Sequence, residues 1–150
     1  MNQLKLNIYT DGGARGNPGP AGIGVVIENA DTKEVLEEHS QYLGETTNNQ
    51  AEYKAVLLGL TRAVEMGATA VTVIADSELL VRQATGEYKV KNPGLAMRFL
   101  ELRNLEVRLG HPVRYRHIRR EQNTHADSLA NKAMDEGSGT KKSMWGGRKR

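Results

Sequence analysis

Four acidic residues, Asp11, Glu52, Asp76 and Asp127, carry the chemistry this sequence offers. Asp11 follows an alternating apolar run (Leu4, Leu6, Ile8) and precedes the glycine-rich stretch Gly12-Gly13-Ala14-Arg15-Gly16-Asn17-Pro18-Gly19. A carboxylate at a strand's end, beside backbone amides that no side chain covers, can hold a hard cation next to a phosphate. Asp76 follows the β-branched run Val71-Thr72-Val73-Ile74-Ala75, while Glu52 and Asp127 fall near the starts of two amphipathic segments. Each acid also has an ordinary use. A turn accounts for Asp11, an N-cap for Asp76, and helix-dipole stabilisation for Glu52 and Asp127. Their joint placement is therefore what decides.

The elements that must position them follow from periodicity. A period of two predicts a strand over residues 4–9, a break of about ten residues in the glycines and prolines, and strands over 22–28 and 34–43 joined by a short polar turn. A helix is predicted from 48 or 49 to 66: Thr47 with Gln50 resembles a capping box, and Glu52 sits in the first turn. Tyr53, Val56, Leu57, Leu60, Ala63 and Val64 share one face, and Gly67 stops the helix. A buried strand over 71–75 follows this crossover, so it should run parallel to the first. Helices over 78–85 and 95–109, a strand over 113–118 and a last helix over 123–135 complete the pattern. With strand order 3-2-1-4-5, all four carboxylates converge at one edge of the central strands. They would then repel, shifting their pKa values unless cations neutralise them. Only oxygen ligands are on offer, which favours magnesium or manganese over zinc.

Bulk properties fit one soluble domain over residues 1–136: 150 residues, 38% hydrophobic and 26% charged. The absence of cysteine excludes disulfides, thiolate nucleophiles and zinc–sulfur sites. No apolar stretch approaches the ~20 residues of a membrane helix, and the N-terminus lacks a secretory layout, so no membrane association is expected. The expectation is a cytoplasmic monomer. Charge is unevenly spread: residues 137–150 hold five bases and no acid, leaving the remainder slightly acidic despite a formal net charge of +3. Residues 137–150 read as a flexible basic tail. Residues 82–120 hold ten bases against three acids, which predicts an electropositive side suited to a polyanion.

Four blocks resemble, in their order, type 1 ribonuclease H over roughly residues 4–135: Tyr9-Thr10-Asp11-Gly12-Gly13 with Gly16-Asn17-Pro18-Gly19, Thr47-Asn48-Asn49-Gln50-Ala51-Glu52, Ala75-Asp76-Ser77, and Asn123-Thr124-His125-Ala126-Asp127. The resemblance implies an α/β ribonuclease H-like fold, a five-stranded mixed sheet of order 3-2-1-4-5 flanked by helices. It implies an endonuclease hydrolysing the RNA strand of RNA/DNA hybrids to leave 5′-phosphate and 3′-hydroxyl ends. Asp11, Glu52, Asp76 and Asp127 would be the catalytic, metal-binding acids, holding two Mg2+ ions (or Mn2+) ~3.5–4 Å apart with Asp11 as the bridging ligand. Substrate contacts are implied for Gly12, Gly13, Arg15, Gly16, Asn17, Asn48, Asn49, Gln50 and Ser77; amides that both donate and accept suit RNA 2′-hydroxyls.

The sequence departs from the family pattern in identifiable places. The basic, tryptophan-bearing protrusion of many members is replaced by the short stretch 86–94, with only Lys89 and Lys91. The loop histidine thought to assist product departure is missing from residues 119–122, leaving Arg120 or Glu121 as substitutes. His125 reads as structural, and Glu78 stands where relatives often carry glutamine. The rival readings are a non-cleaving hybrid- or RNA-binding module and another nuclease of the wider superfamily. A nucleotide-binding enzyme is excluded by the lack of a Gly-Lys-Ser/Thr phosphate loop.

Overall fold

Alternation of side chains builds β1 (Lys5–Ala14), with Leu6, Ile8 and Thr10 buried on one face. In the computed structural model, which describes residues 3–139, β1 is followed by β2 (Gly19–Asn29) and β3 (Val35–Thr46). Helix α1 (Asn48–Met66), β4 (Ala70–Ala75), α2 (Glu78–Ala84), α3 (Pro93–Leu109), β5 (Val113–His117) and α4 (Thr124–Met134) complete the fold. The sheet has the order β3-β2-β1-β4-β5. β1–β2 and β2–β3 pair antiparallel, whereas β1–β4 and β4–β5 pair parallel.

The expected ten-residue break after Asp11 is not there. β1 runs on through Gly12, Gly13 and Ala14, and β2 starts at Gly19, with Asp11 paired to Gly24 and Gly13 to Gly22. Glycine weakens strands but permits close backbone approach, and here the approach is the purpose. A Cβ at Gly12 would strike the Ala51 carbonyl of α1, and one at Gly24 would strike the Ala126 carbonyl of α4. These two glycines seat helices on opposite faces of the sheet.

Between the sheet and the layer of α1 and α3 lies the main core. Leu6, Ile8, Val25 and Val73 from the sheet pack with Tyr53, Val56 and Leu60 of α1 and Leu95, Leu102 and Leu105 of α3. The predicted α1 face is thus the buried one, with Leu57 and Val64 half-buried at its margins. Its ends are also as expected. Thr47 Oγ accepts from the Gln50 amide at 3.2 Å, and Gly67 caps the C-terminus in the left-handed region at φ 73°. Because the helix opens at Asn48, Glu52 belongs to its second turn, not the first. On the other face α4 buries Ala126, Ala130, Ala133 and Met134. No helix among the described residues is long and apolar enough to cross a membrane.

Two expectations about charge and boundaries change. The basic stretch 82–120 is less bare than its composition implied, because Arg82 pairs with Glu78 and Glu87, Arg98 with Glu101 and Arg103 with Glu106. The chain also stays helical past Met134: Asp135–Gly139 forms a π-helical turn that sets Gly137 against the Tyr42 ring of β3. The tail boundary drawn at Gly137 therefore falls inside this turn, and residues 140–150 lie outside the described residues.

Candidate active site

A fork in the sheet brings the first two acids together. Parallel pairing of β1 with β4 ends at Thr10 and Ala75, whereas β1 continues beside β2 to Ala14. Asp11 and Asp76 are the residues that follow the last parallel pair. Asp11 accordingly does not end its strand, as the sequence suggested; it sits where the strand parts from β4. Glu52 arrives because Gly12 lets the Ala51–Glu52 backbone of α1 rest directly on β1. Asp127 arrives on the first turn of α4, which Gly22 and Gly24 admit to the sheet.

Electrostatics tie the four acids into one group. Burial pushes the Asp11 carboxyl up to about 8; the Asp76 charge, a hydrogen bond with Asp127, and the charges of Asp127 and Glu52 push the same way. Burial likewise raises Glu52 to about 7, with Asp76 adding to the rise while a Ser77 hydrogen bond and the Arg120 charge oppose it. Asp11, Glu52 and Asp127 line a cleft of about 400 Å³ together with Gly12, Gly13, Arg15, Asn48, Asn49, Arg120 and Asn131. Asp76 and Ser77 line an adjoining narrow recess that shares Asp11 and Glu52. Among the described residues no three His, Asp or Glu groups are drawn tightly enough to hold a metal ion as they stand. The acids are close enough to shift one another, and Asp11 and Asp127 share a hydrogen bond, without closing into a cage. A donor set made only of carboxylate oxygens fits a hard divalent cation.

The candidate substrate residues divide by what their side chains already do. Asn48 Oδ1 accepts from the Ala14 amide at 2.7 Å, and Asn17 Oδ1 accepts from the Asn48 amide at 3.0 Å. Both therefore lock the 15–18 turn to the start of α1. Gly16 supplies that turn with φ 100°. Gln50 reaches toward Gly94 at the start of α3 rather than into the cleft. Ser77 caps α2 by accepting from Leu80 N at 3.2 Å and also donates to Glu52. Arg15 pairs with Asp135 at 2.5 Å.

Of the two auxiliary candidates, Arg120 lines the cleft, while Glu121 is exposed and faces Arg119 at 3.9 Å. His125 bonds Glu38 of β3 at 2.7 Å, a structural role as expected, and Glu78 is held by Arg82. Two further side chains, Asn131 and Asn123, hold the acids in place. Asn131 donates to Asp127 Oδ2 at 3.2 Å, a contact that its i+4 spacing on α4 could have flagged. Asn123 donates to both the Thr10 carbonyl and Asp76, and no local spacing signals either bond.

Sheet order, helix placement and the carboxyl cluster together define the ribonuclease H-like class of α/β folds. Comparison with known proteins agrees. A family profile described as reverse transcriptase-like matches residues 9–133. The ribonuclease H of Verminephrobacter eiseniae is 35% identical, over 93% of this chain and 95% of its own length. The bifunctional protein Rv2228c of Mycobacterium tuberculosis is 46% identical over 88% of this chain, which spans only 36% of that longer protein. The solved N-terminal RNase H domain of Rv2228c, fused to maltose-binding protein, superposes with a TM-score of 0.84 at 45% identity, covering 88% of this chain and all of that one. LC11-RNase H1, solved in complex with an RNA/DNA hybrid, gives a TM-score of 0.83 at 47% identity, covering 88% and 98%. This chain belongs to the ribonuclease H family.

Proposed function

We propose that this chain is an endonuclease that hydrolyses the RNA strand of RNA/DNA hybrids by two-metal-ion catalysis, leaving 5′-phosphate and 3′-hydroxyl ends. The observation that carries this reading is the convergence on Asp11, a half-buried carboxyl that feels Asp76, Asp127 and Glu52 at the wall of an open cleft. Such a cluster is unfavourable unless positive charge is delivered to it. LC11-RNase H1 supports the substrate class through its hybrid complex.

Two Mg2+ ions, or Mn2+ in their place, would supply the Lewis acidity that activates a water and neutralises the departing oxygen. Asp11, Glu52, Asp76 and Asp127 would hold them, with Asp11 the acid that feels the other three. Ser77 keeps Glu52 oriented through its hydrogen bond. Gly13 leaves the strand backbone open to a phosphodiester while Gly12, covered by α1, seats Glu52 beside it, and Asn49 offers an amide to a 2′-hydroxyl in the shallow minor groove of the hybrid. Arg15 takes a phosphate by exchanging Asp135 for it. Gly16, Asn17, Asn48 and Gln50 act one step back, fixing the turn and helix start that present these groups. Arg120, a cation at the cleft, draws the severed phosphate away; Glu121, outside it, has no such part.

The test is a gel assay on labelled RNA/DNA hybrid, RNA duplex and DNA duplex with Mg2+, Mn2+ or a chelator. Only the RNA of the hybrid should be cut, chelator should abolish cutting, and the downstream fragments should carry 5′-phosphates. Hybrid binding without cleavage in either metal would instead identify a non-cleaving module, and cleavage of the DNA duplex another nuclease activity of the superfamily.

A further inference from the structure

Asn123 is 1% exposed, an amide in the protein interior at the junction of the 3-10 turn (Arg120–Gln122) and α4. Its Nδ2 donates to the Thr10 carbonyl at 2.9 Å and to Asp76 Oδ2 at 3.1 Å, so both of its hydrogens are engaged. Its backbone carbonyl accepts from the Asp127 amide at 3.0 Å. One residue thus touches β1 immediately before Asp11, the side chain of Asp76 and the backbone of Asp127. These three acids come from separate elements and repel one another, so something must hold them at fixed distances. The parallel β1–β4 ladder has already ended at Thr10 and Ala75 and cannot do it.

Asn123 Oδ1 is buried with no hydrogen-bond partner. An unpaired buried acceptor is unfavourable, so a residue chosen for stability alone has little reason to be an amide here. A donor that grips a carboxylate while adding no charge is what the site needs. Lysine or arginine in its place would neutralise Asp76 and compete with a cation. Asparagine orients one oxygen of Asp76 and leaves the other for a metal.

We propose that Asn123 is a positioning residue that sets the spacing of Asp11, Asp76 and Asp127 for divalent-cation binding; this rests on the metal-dependent nuclease reading above. Replacing its donor while keeping its shape is the sharpest probe. Asn123→Asp turns two hydrogen bonds into acceptor–acceptor contacts at nearly constant volume, Asn123→Ala removes them, and Asn123→Ser restores one short donor.

The experiment measures thermal unfolding without metal, Mn2+ affinity by calorimetry without nucleic acid, and kcat and KM on an RNA/DNA hybrid across Mg2+ concentrations. In Asn123→Asp and Asn123→Ala we expect kcat to fall ~10–100-fold, with a comparable weakening of Mn2+ binding and an unchanged KM for hybrid. Asn123→Ser should recover part of both. In an Asp76→Asn background, where the carboxylate is already gone, Asn123→Ala should alter Mn2+ affinity by less than about twofold. Folded variants with wild-type Mn2+ affinity and kcat would overturn the proposal, and so would loss of the folded state in all three, which assigns Asn123 to stability alone. A wild-type chain that neither binds Mn2+ nor cuts hybrid would instead bring down the nuclease reading itself.

Discussion

Asp11→Asn should lower kcat/KM on an RNA/DNA hybrid by at least ~10³-fold, about 4 kcal/mol of transition-state stabilisation. It should also make the metal-free protein more stable. Activity falls because the amide offers one neutral oxygen where the cluster needs a charged ligand facing Asp76, Asp127 and Glu52. Stability rises for the opposite reason, since without a cation that charge is buried among like charges. The folded-state pKa of Asp11, about 8, lies well above the unfolded value of an aspartate, as does that of Glu52 at about 7. Below the unfolded value both states are protonated and nothing is lost. As pH rises from about 4 to about 8 the unfolded chain releases its protons first, and the native state loses stability throughout that window. Asparagine stays neutral and escapes this loss. Urea titrations in chelator should show Asp11→Asn more stable than wild type by on the order of 2 kcal/mol at pH 8, and nearly equal at pH 4. Mg2+ should stabilise the wild type and not the variant. A variant that keeps a tenth of wild-type activity, or that is less stable at pH 8, contradicts the assignment.

Gly12→Ala should damage both stability and activity through one methyl group. That carbon would overlap the Ala51 carbonyl and lie 2.7 Å from the Glu52 nitrogen, all of it α1 backbone with no rotamer to change. Either β1 or α1 must move. Overpacking of this kind costs about 1–3 kcal/mol, or roughly 3–12 °C in Tm for a domain of this size. Because the obstructed residue is Glu52 itself, α1 carries the carboxyl outward by roughly 1 Å, enough to reduce kcat about 10²-fold at temperatures where the variant is folded. Gly13→Ala is the stability control, since its added carbon would meet only side-chain atoms at ordinary contact, Asn48 Oδ1 at 3.7 Å and Met134 Cε at 4.0 Å. Calorimetry of the two variants checks the contrast: equal melting temperatures would mean that close seating of α1 on β1 is not what brings Glu52 to Asp11.

Local chemistry made much of this fold legible. Thr47, Gln50 and Gly67 mark the ends of α1 because caps are short-range hydrogen bonds within the helix's own neighbourhood. The alternation of Leu4, Leu6 and Ile8 marks β1 because burial on one sheet face has a fixed period, which the structure carries on to Thr10. The glycines misled for a physical reason. Their poor strand propensity reads as a break, while their use here is close contact with helices remote in sequence, which no window can display. The charge count misled in part, since Arg98–Glu101 and Arg103–Glu106 follow from i,i+3 spacing whereas Arg82–Glu87 closes a helix end. In the site, Asp76 and Asp127 could be placed because they stand beside element ends that the pattern defines, whereas Asp11 lies inside β1 and Glu52 in the second turn of α1. Asn123 opens the fourth of the motif blocks, but its task could not be read there, because its partners Asp76 and Thr10 lie 47 and 113 residues away.

Under the proposed mechanism, Asp11, Glu52, Asp76 and Asp127 together would cage divalent cations under a scissile phosphodiester. Its most direct test is a crystal structure of the Asp127→Asn variant, slowed but with three acids intact, grown with RNA/DNA hybrid and Mn2+ and measured at the manganese absorption edge. Anomalous density is expected between Asp11, Glu52 and Asp76 and the RNA strand's phosphate. A hybrid bound elsewhere, or manganese absent from those carboxylates while the hybrid is seated on them, would contradict it.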